Sequence, residues 1–470
     1  MRFLLTFRGQ RGASKKRSSA WAENTNPMIS LLRNILPAQV LRWYHYGLSV
    51  VAALAFNSPS KEMVIVGVTG TNGKSTVVEL IRSIFESAGL NAASLSSIRI
   101  VINGEEQINI KKMTMPGRFA LQHFLRTARS HGVSHVVVEA TSEGMRQFRH
   151  RGIDWDGLVF TNLFPEHVES HGSLEAYQRA KESLFAYLSK TERKGRTKKI
   201  IVVNADDSHA KDFLKYDADE KWAYATSMAP GNRIQSLLHT KSLDDLGAED
   251  SALLTPTSYE ATKDGISMVI KGIEVTSQLR GDFNVYNILA AITLARAYGI
   301  EWKAIQRGIE TMNVIPGRLE CIQREPFTLI VDYAHTPDAL EKVYRTVKPE
   351  HGRLICVLGA AGGGRDKWKR AEFGKIASSF CDEVILTNED PYDEDPSSII
   401  ADIQKGMEPG RAEAKNILDR EQAIQEAVKD AEPGDVVILT GKGSEQWIAG
   451  KDVLIPWDER EVARKLLLQK

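Results

Sequence analysis

The sequence predicts a doubly wound α/β fold with two mostly parallel sheets, and three observations carry the prediction. First, short runs rich in Val, Ile and Leu recur from residue 63 onward: MVIVGVTG, HVVVEAT, GLVFTNL, KIIVVNADD, FTLIVDYA, RLICVLGA, EVILTNEDP and DVVILTGKG. Strands buried on both faces read this way, because helices cover both sides of a parallel sheet. Second, the stretches between them, such as STVVELIRSIFESAG, carry apolar residues at helical spacing and end in glycine. Third, most runs end in small or polar residues, and ligands of open parallel sheets sit at the carboxyl ends of the strands.

The N-terminal end differs from the rest. Residues 2–22 carry Arg2, Arg8, Arg11, Lys15, Lys16 and Arg17 and no acidic residue. Such a segment fits a basic tail, a transit peptide, or sequence upstream of a start at Met28. The apolar run YGLSVVAALAF at 46–56 is too short to span a bilayer. It reads as a buried amphipathic helix from about Pro37 to Phe56, with an interfacial membrane helix as the alternative.

The remaining 410 or so residues fall into two groups of strands. The first group runs over 61–314 and the second over 315–470, with IPGR at 315–318 as hinge and a less regular stretch at 225–280. A chain of 470 residues needs no disulfide staples to build its core. Cys321, Cys356 and Cys381 are odd in number and widely spaced, which argues against a disulfide framework and a zinc site and for a reducing compartment. A net charge of +1 gives no bulk electrostatic case for a nucleic-acid partner.

The most informative loop is GVTGTNGKST at 67–76, between the run MVIV and a helical stretch. A glycine-rich turn at a helix N-terminus lets backbone N–H groups approach phosphate oxygens. In this reading Gly70, Thr71, Asn72, Gly73, Lys74, Ser75 and Thr76 bind a nucleoside triphosphate, ATP by the resemblance described below; Lys74 neutralises phosphate charge and Ser75 ligates Mg²⁺. Val68 stands where a strict Walker A loop has its first glycine.

The motifs beyond the loop narrow the reaction. GTNGKST, VVVEATS, TNLFPEHVESHG, AYQRAKESLF, GDFNVYNILAA, IPGRLE, VDYAHTPDAL, GAAGGGRDKWKR, TNEDPYDEDP, ILDREQAI and GKGSE occur in one order that resembles the Mur ligase family, nearest its UDP-N-acetylmuramoyl-tripeptide synthetase (MurE-like) branch. The resemblance covers about residues 61–465. It implies a central P-loop ATPase domain followed by a C-terminal Rossmann-like domain. It also implies an ADP-forming amide ligase: a carboxylate attacks the γ-phosphate of ATP, and an amine displaces phosphate from the acyl-phosphate. Two anions meet in the first step, so metal ions and cations are needed there. By resemblance Ser75, Glu139, His167 and Lys181 serve as metal-site residues, with two Mg²⁺ and Lys181 as a carbamate, and Lys74, Glu139, His167 and Lys181 form the catalytic set. Asn287, beside Asn284, is expected at adenine. Arg318 and Asp332, with His335 nearby, are expected to meet ATP on domain closure. A cytoplasmic monomer acting on small molecules is expected.

Three departures bear on the substrates. About 60 residues precede the phosphate loop, where the resembled enzymes hold the UDP-sugar on a separate domain. The UDP-muramoyl-peptide is then held another way, or the acceptor is another carboxylate, such as a poly-γ-glutamate, folate or cyanophycin-like chain; a non-catalytic nucleotide-binding partner is the third possibility. The amino-acid motif is Glu389-Asp390-Pro391-Tyr392 instead of Asp-Asn-Pro-Arg, which argues against diaminopimelate and for a basic amino acid such as lysine or ornithine. Arg365, Gly441 and Glu445 also match positions near that amino acid. Glu143 replaces a histidine on the acceptor side, which leaves Thr114, Arg118, Thr141 and Ser142 to meet the acceptor.

Overall fold

β1 (Val64–Thr69) lies at the centre of a nine-stranded sheet because it is apolar on both faces: Ile65 enters one core cluster and Val66 and Val68 the other. The computed structural model describes residues 38–109, 113–166, 168–227 and 252–469. The other strands of this sheet are β2 (Ala92–Leu95), β3 (Arg99–Ile102), β4 (Glu105–Ile108), β5 (His135–Glu139), β6 (Gly157–Phe160), β7 (Ile200–Asn204), β8 (Glu220–Tyr224) and β9 (Leu253–Leu254). Their order is β4-β3-β2-β5-β1-β6-β7-β8-β9, with every pairing parallel except those of β3 with β2 and β4 at one edge. The chain moves to β5 on one side of β1 and β6 on the other. β1 is therefore a switch point, and a crevice opens at its carboxyl end.

Behind this sheet a small antiparallel sheet of β10 (Ser258–Ala261), β11 (Ile266–Ile270) and β12 (Ile273–Ser277) fills part of the stretch expected to be irregular. The helix Phe283–Ala297 is buried along nearly its whole length against the larger sheet, and Asn284 and Asn287 lie near its start.

The second sheet has β13 (Glu320–Gln323), β14 (Thr328–Val331), β15 (Leu354–Leu358), β16 (Glu383–Leu386), β17 (Glu413–Asn416) and β18 (Val436–Leu439) in the order β13-β14-β18-β15-β16-β17. Only β13 is antiparallel. Apolar clusters cover both of its faces. The chain enters it through the tight turn at Ile315–Arg318, where Gly317 has φ 64° and a Cβ would stand 2.2 Å from the Ser444 nitrogen. Only glycine fits there. Leu319, also at positive φ, donates its N–H to Asp332 at 2.7 Å, and Ala334 N–H donates to the same carboxylate at 2.6 Å.

The helix expected from Pro37 to Phe56 spans Ala38–Ala55. Among the described residues no helix is long and apolar enough to cross a membrane. The expectation about cysteines needs correction: Cys356 and Cys381 form a disulfide. Cys356 lies in β15, and Cys381 shortly precedes the neighbouring β16, so strand adjacency brings their Cα atoms to 6.2 Å. Spacing along the chain carries no trace of that adjacency. Cys321 is free.

Candidate functional site

The phosphate loop turns between β1 and the helix Lys74–Ser87, with Gly70 at φ 152° and Gly73 at φ 81°. A Cβ at Gly70 would stand 1.9 Å from Thr161 Oγ1. One at Gly73 would stand 2.2 Å from Asn287 Oδ1, so the residue expected at adenine lies against the loop. Asn287 in turn donates to Asn284 Oδ1 at 2.7 Å. The loop is held from below: Thr71 N–H donates to Asn162 O at 2.9 Å, and Asn72 N–H to Asn162 Oδ1 at 2.8 Å. Gly70→Ala is expected to introduce strain of about 1–3 kcal/mol. Titration calorimetry should then show ATP binding weakened about tenfold or more; an unchanged Kd would contradict the assignment of the loop.

Ser75 and Glu139 meet at the helix start. Ser75 Oγ donates to Glu139 Oε2 at 2.8 Å, and Ser97 N–H donates to the same oxygen at 2.9 Å. Glu139 ends β5, is buried, and among the described residues has these neutral donors in hydrogen-bond contact. A buried carboxylate without an ion-paired partner is costly. Hydroxyl and carboxylate oxygens are also the donor set that suits Mg²⁺. The residues therefore fit the ion. His167 lies outside the described residues.

Lys181 comes from the helix Leu174–Leu188 and is 1% exposed. Its Nζ donates to Gly70 O at 2.6 Å and sits 4.3 Å from the centre of the Tyr177 ring. Burial, helped by the nearby Lys74, pulls its pKa well below that of an ordinary lysine, against the opposing charges of Glu166 and Glu139. Lys74 Nζ itself donates to Thr71 O at 2.6 Å.

The C-terminal half reaches this loop directly. Asn72 Nδ2 donates to Asp338 Oδ2 at 3.1 Å, and Thr336 Oγ1, the cap of the helix Pro337–Val347, donates to Asn72 Oδ1 at 3.4 Å. Buried Glu166 faces His335 at 3.2 Å and Lys369 at 3.6 Å. Glu169 N–H donates to Asp366 at 3.1 Å, and Lys367 N–H donates to Glu169 at 3.0 Å. Sequence reading singled out neither Glu166 nor Asp338. Glu166 and Asp338 lie inside recognisable motifs, but nothing in the sequence pairs them with partners so far along the chain. Arg318 packs over the Tyr333 ring at 4.3 Å and donates to Gly317 O. Burial raises the Asp332 pKa, with Arg318 opposing. In this arrangement Asp332 anchors the chain just after the Ile315–Arg318 turn.

A second polar cluster gathers at the carboxyl ends of β14, β15, β16 and β18. Lys442, fully buried, bonds Asp390 at 3.0 Å and Glu445 at 2.5 Å. Tyr333 Oη donates to Glu445 at 3.1 Å. Burial alone would depress Lys442, but Glu445, Asp390 and Glu389 outweigh it and raise its pKa. Glu389 makes no ion pair with a described residue, and burial pushes its pKa up. A Cβ at Gly441 would stand 2.3 Å from Glu389 Oε2, so glycine keeps this corner open. Arg365 donates to Tyr392 Oη at 2.8 Å and stacks over its ring at 4.9 Å.

On the expected acceptor side, Thr141 caps the short helix Ser142–Arg146, and Ser142 Oγ lies 3.2 Å from His171 Nε2. Thr114 is half-buried next to Met115, which packs against the same turn at Gly144. Arg118 is committed elsewhere: it contacts Ser49 Oγ at 3.0 Å, His45 Nδ1 at 2.8 Å and the Gln147 carbonyl. It fastens the N-terminal helix to the sheet domain.

A P-loop at the switch point of one parallel sheet, contacted by loops of a second, defines a nucleotide-binding α/β protein of two lobes. Family profiles described as the Mur ligase middle domain and the Mur ligase glutamate ligase domain match residues 68–295 and 317–443. A UDP-N-acetylmuramyl-tripeptide synthetase of Roseiflexus sp. is 37% identical over 437 residues, 90% of this chain and 82% of that protein. A UDP-N-acetylmuramoyl-L-alanyl-D-glutamate–2,6-diaminopimelate ligase of Halalkalibacterium halodurans is 31% identical over 93% of this chain and 84% of its own length. The solved Mycobacterium tuberculosis folylpolyglutamate synthase, 16% identical, superposes with TM-score 0.64 over 84% of this chain and 92% of its own, a likeness of fold alone. The chain belongs to the Mur ligase family, whose members are ATP- and Mg²⁺-dependent, ADP-forming amide ligases.

Proposed function

We propose that the chain joins the amino group of an amino acid to the carboxylate of a UDP-N-acetylmuramoyl-peptide, through an acyl-phosphate made at the expense of ATP. The observation that carries this reading is the convergence of the phosphate loop, the Ser75–Glu139 pair and buried Lys181 at the end of β1, under direct contact from the C-terminal half. The names of the relatives support the acceptor and the reaction class. Residues 61–314 and 315–470 act as separate domains that close on ATP. The enzyme works as a monomer, since one chain supplies both halves of the site.

Each residue has a task in this scheme. The loop amides and Lys74 hold the phosphates, and Asn287 borders the nucleotide at Gly73. Ser75 and Glu139 would hold Mg²⁺, and His167 with carbamylated Lys181 would hold a second ion; such ions would supply the positive charge that offsets the repulsion between phosphate and incoming carboxylate. Lys181 suits carbamate formation because its environment favours the neutral amine, the form that reacts with carbon dioxide. Thr114, Thr141 and Ser142 face the acceptor. Arg365 and the Glu389–Asp390–Tyr392 loop, with Gly441 and Glu445, receive the amino acid. Lys442 already satisfies Asp390 and Glu445, which leaves Glu389 to meet a second cation. A basic amino acid such as lysine or ornithine is therefore preferred over diaminopimelate.

Phosphate release should be measured with ATP, Mg²⁺, UDP-N-acetylmuramoyl-Ala-Glu and lysine, ornithine or diaminopimelate in turn. Release is expected only with acceptor and amino acid together, and fastest with a basic amino acid. Equal turnover of lysine and diaminopimelate would remove the assignment of Glu389. Release with a glutamyl or pteridine acceptor and none with the muramoyl-peptide would overturn the acceptor.

A further inference from the structure

The helix Ala38–Ala55 is apolar on both sides, and the described residues that follow it cover only one of them. Ser49, Ala52 and Ala53 face inward and are buried; Ser49 Oγ donates to Phe148 O at 2.8 Å, and Ala53 packs at Gly152. On the outward side, Trp43 is 74% exposed, Val51 53% and Leu54 67%, with Tyr44 and Val50 exposed beside them. Trp43, Gly47, Val50, Val51 and Leu54 follow helical spacing and form one stripe without a polar side chain. The aromatic residues gather at its N-terminal end.

The sequence around this helix is basic. The helix sequence contains Arg42 and no acidic residue. Residues 1–42 hold eight basic residues and one acidic residue, whereas the whole chain has a net charge of only +1. Positive charge is thus concentrated at the end of the chain that carries the exposed stripe.

We propose that this face docks on the surface of an anionic lipid bilayer. Tryptophan and tyrosine favour the headgroup level, where an apolar ring body and a polar edge are both satisfied. Valine and leucine beside them bury into the acyl boundary, and the basic segment is drawn to anionic headgroups. One such signal gives weak binding and two give stable anchoring. The protein then lies on the membrane without crossing it. The face is separate from the residues assigned to nucleotide and amino acid.

The full chain should be sedimented with vesicles of phosphatidylcholine alone and with added phosphatidylglycerol. Binding is expected to the anionic vesicles, to weaken with salt, and to fall about tenfold in a Val51→Glu, Leu54→Glu variant. That variant should keep its unfolding midpoint and its ATP-dependent activity in vesicle-free solution. Equal binding of variant and wild type, or no binding by wild type, overturns the proposal. So does a wild-type dimer that binds no vesicles and that the variant splits into monomers, since the face would then join two copies of the chain.

Discussion

Lys181→Ala is expected to lower kcat by about 10²–10³-fold, the scale of losing one charged group aimed at a reacting centre. The side chain is 1% exposed, donates to the carbonyl of Gly70 in the phosphate loop, and lies within the fields of Lys74, Glu139 and Glu166. A lysine kept only for packing would not sit where its own charge is opposed by burial and a second lysine. As a carbamate it carries a negative charge, so the same position becomes suited to a metal ion. Short carboxylic acids added to the alanine variant should restore part of the activity by occupying the vacated space as anions. ATP affinity, measured separately, should change much less than kcat. Full activity in the variant would remove Lys181 from the mechanism. Loss without rescue, accompanied by a lower unfolding midpoint, would reduce it to a structural lysine.

Arg420→Ala is expected to destabilise the C-terminal half by about 3–5 kcal/mol, the cost of leaving a buried partner charge unpaired. Arg420 and Glu459 are 1% and 0% exposed and bond at 2.6 Å. The same guanidinium donates to the carbonyls of Asn388 and Thr440, and Trp457 Nε1 donates to Glu459 at 2.7 Å. The pair thus ties together the loops that present Glu389, Asp390, Gly441 and Glu445. Activity should fall with the fold, chiefly through a higher KM for the amino acid. The double variant Arg420→Met, Glu459→Leu should recover much of the stability in urea unfolding, because both buried charges are gone. An Arg420→Ala protein as stable as wild type would contradict a structural role for the pair.

Motifs whose chemistry is local were legible from sequence. The phosphate loop needs consecutive residues between a strand and a helix, and the structure places Gly70 to Thr76 there. The apolar runs marked both sheets because each strand is buried on both faces. Contacts made by folding were not legible. Asn72 reads as one more loop residue until Asp338 and Thr336 arrive from the other half. Glu166 is overshadowed by its neighbour His167 until His335 and Lys369 face it. Arg118 has the charge to bind an acidic acceptor, yet its hydrogen bonds go to His45, Ser49 and Gln147, contacts that depend on where the N-terminal helix lies. The disulfide between Cys356 and Cys381 likewise depends on β15 lying beside β16.

The most direct test of the central claim tracks one oxygen atom. With ¹⁸O in the acceptor carboxylate, an acyl-phosphate pathway carries that oxygen to phosphorus when the carboxylate attacks the γ-phosphate. It leaves in phosphate when the amine displaces it. Mass spectrometry of the released phosphate should find one labelled oxygen for each amide bond formed, with ADP as the other product. Unlabelled phosphate, or label found in AMP, would contradict the pathway and the roles of the phosphate loop, Ser75, Glu139 and Lys181 in it.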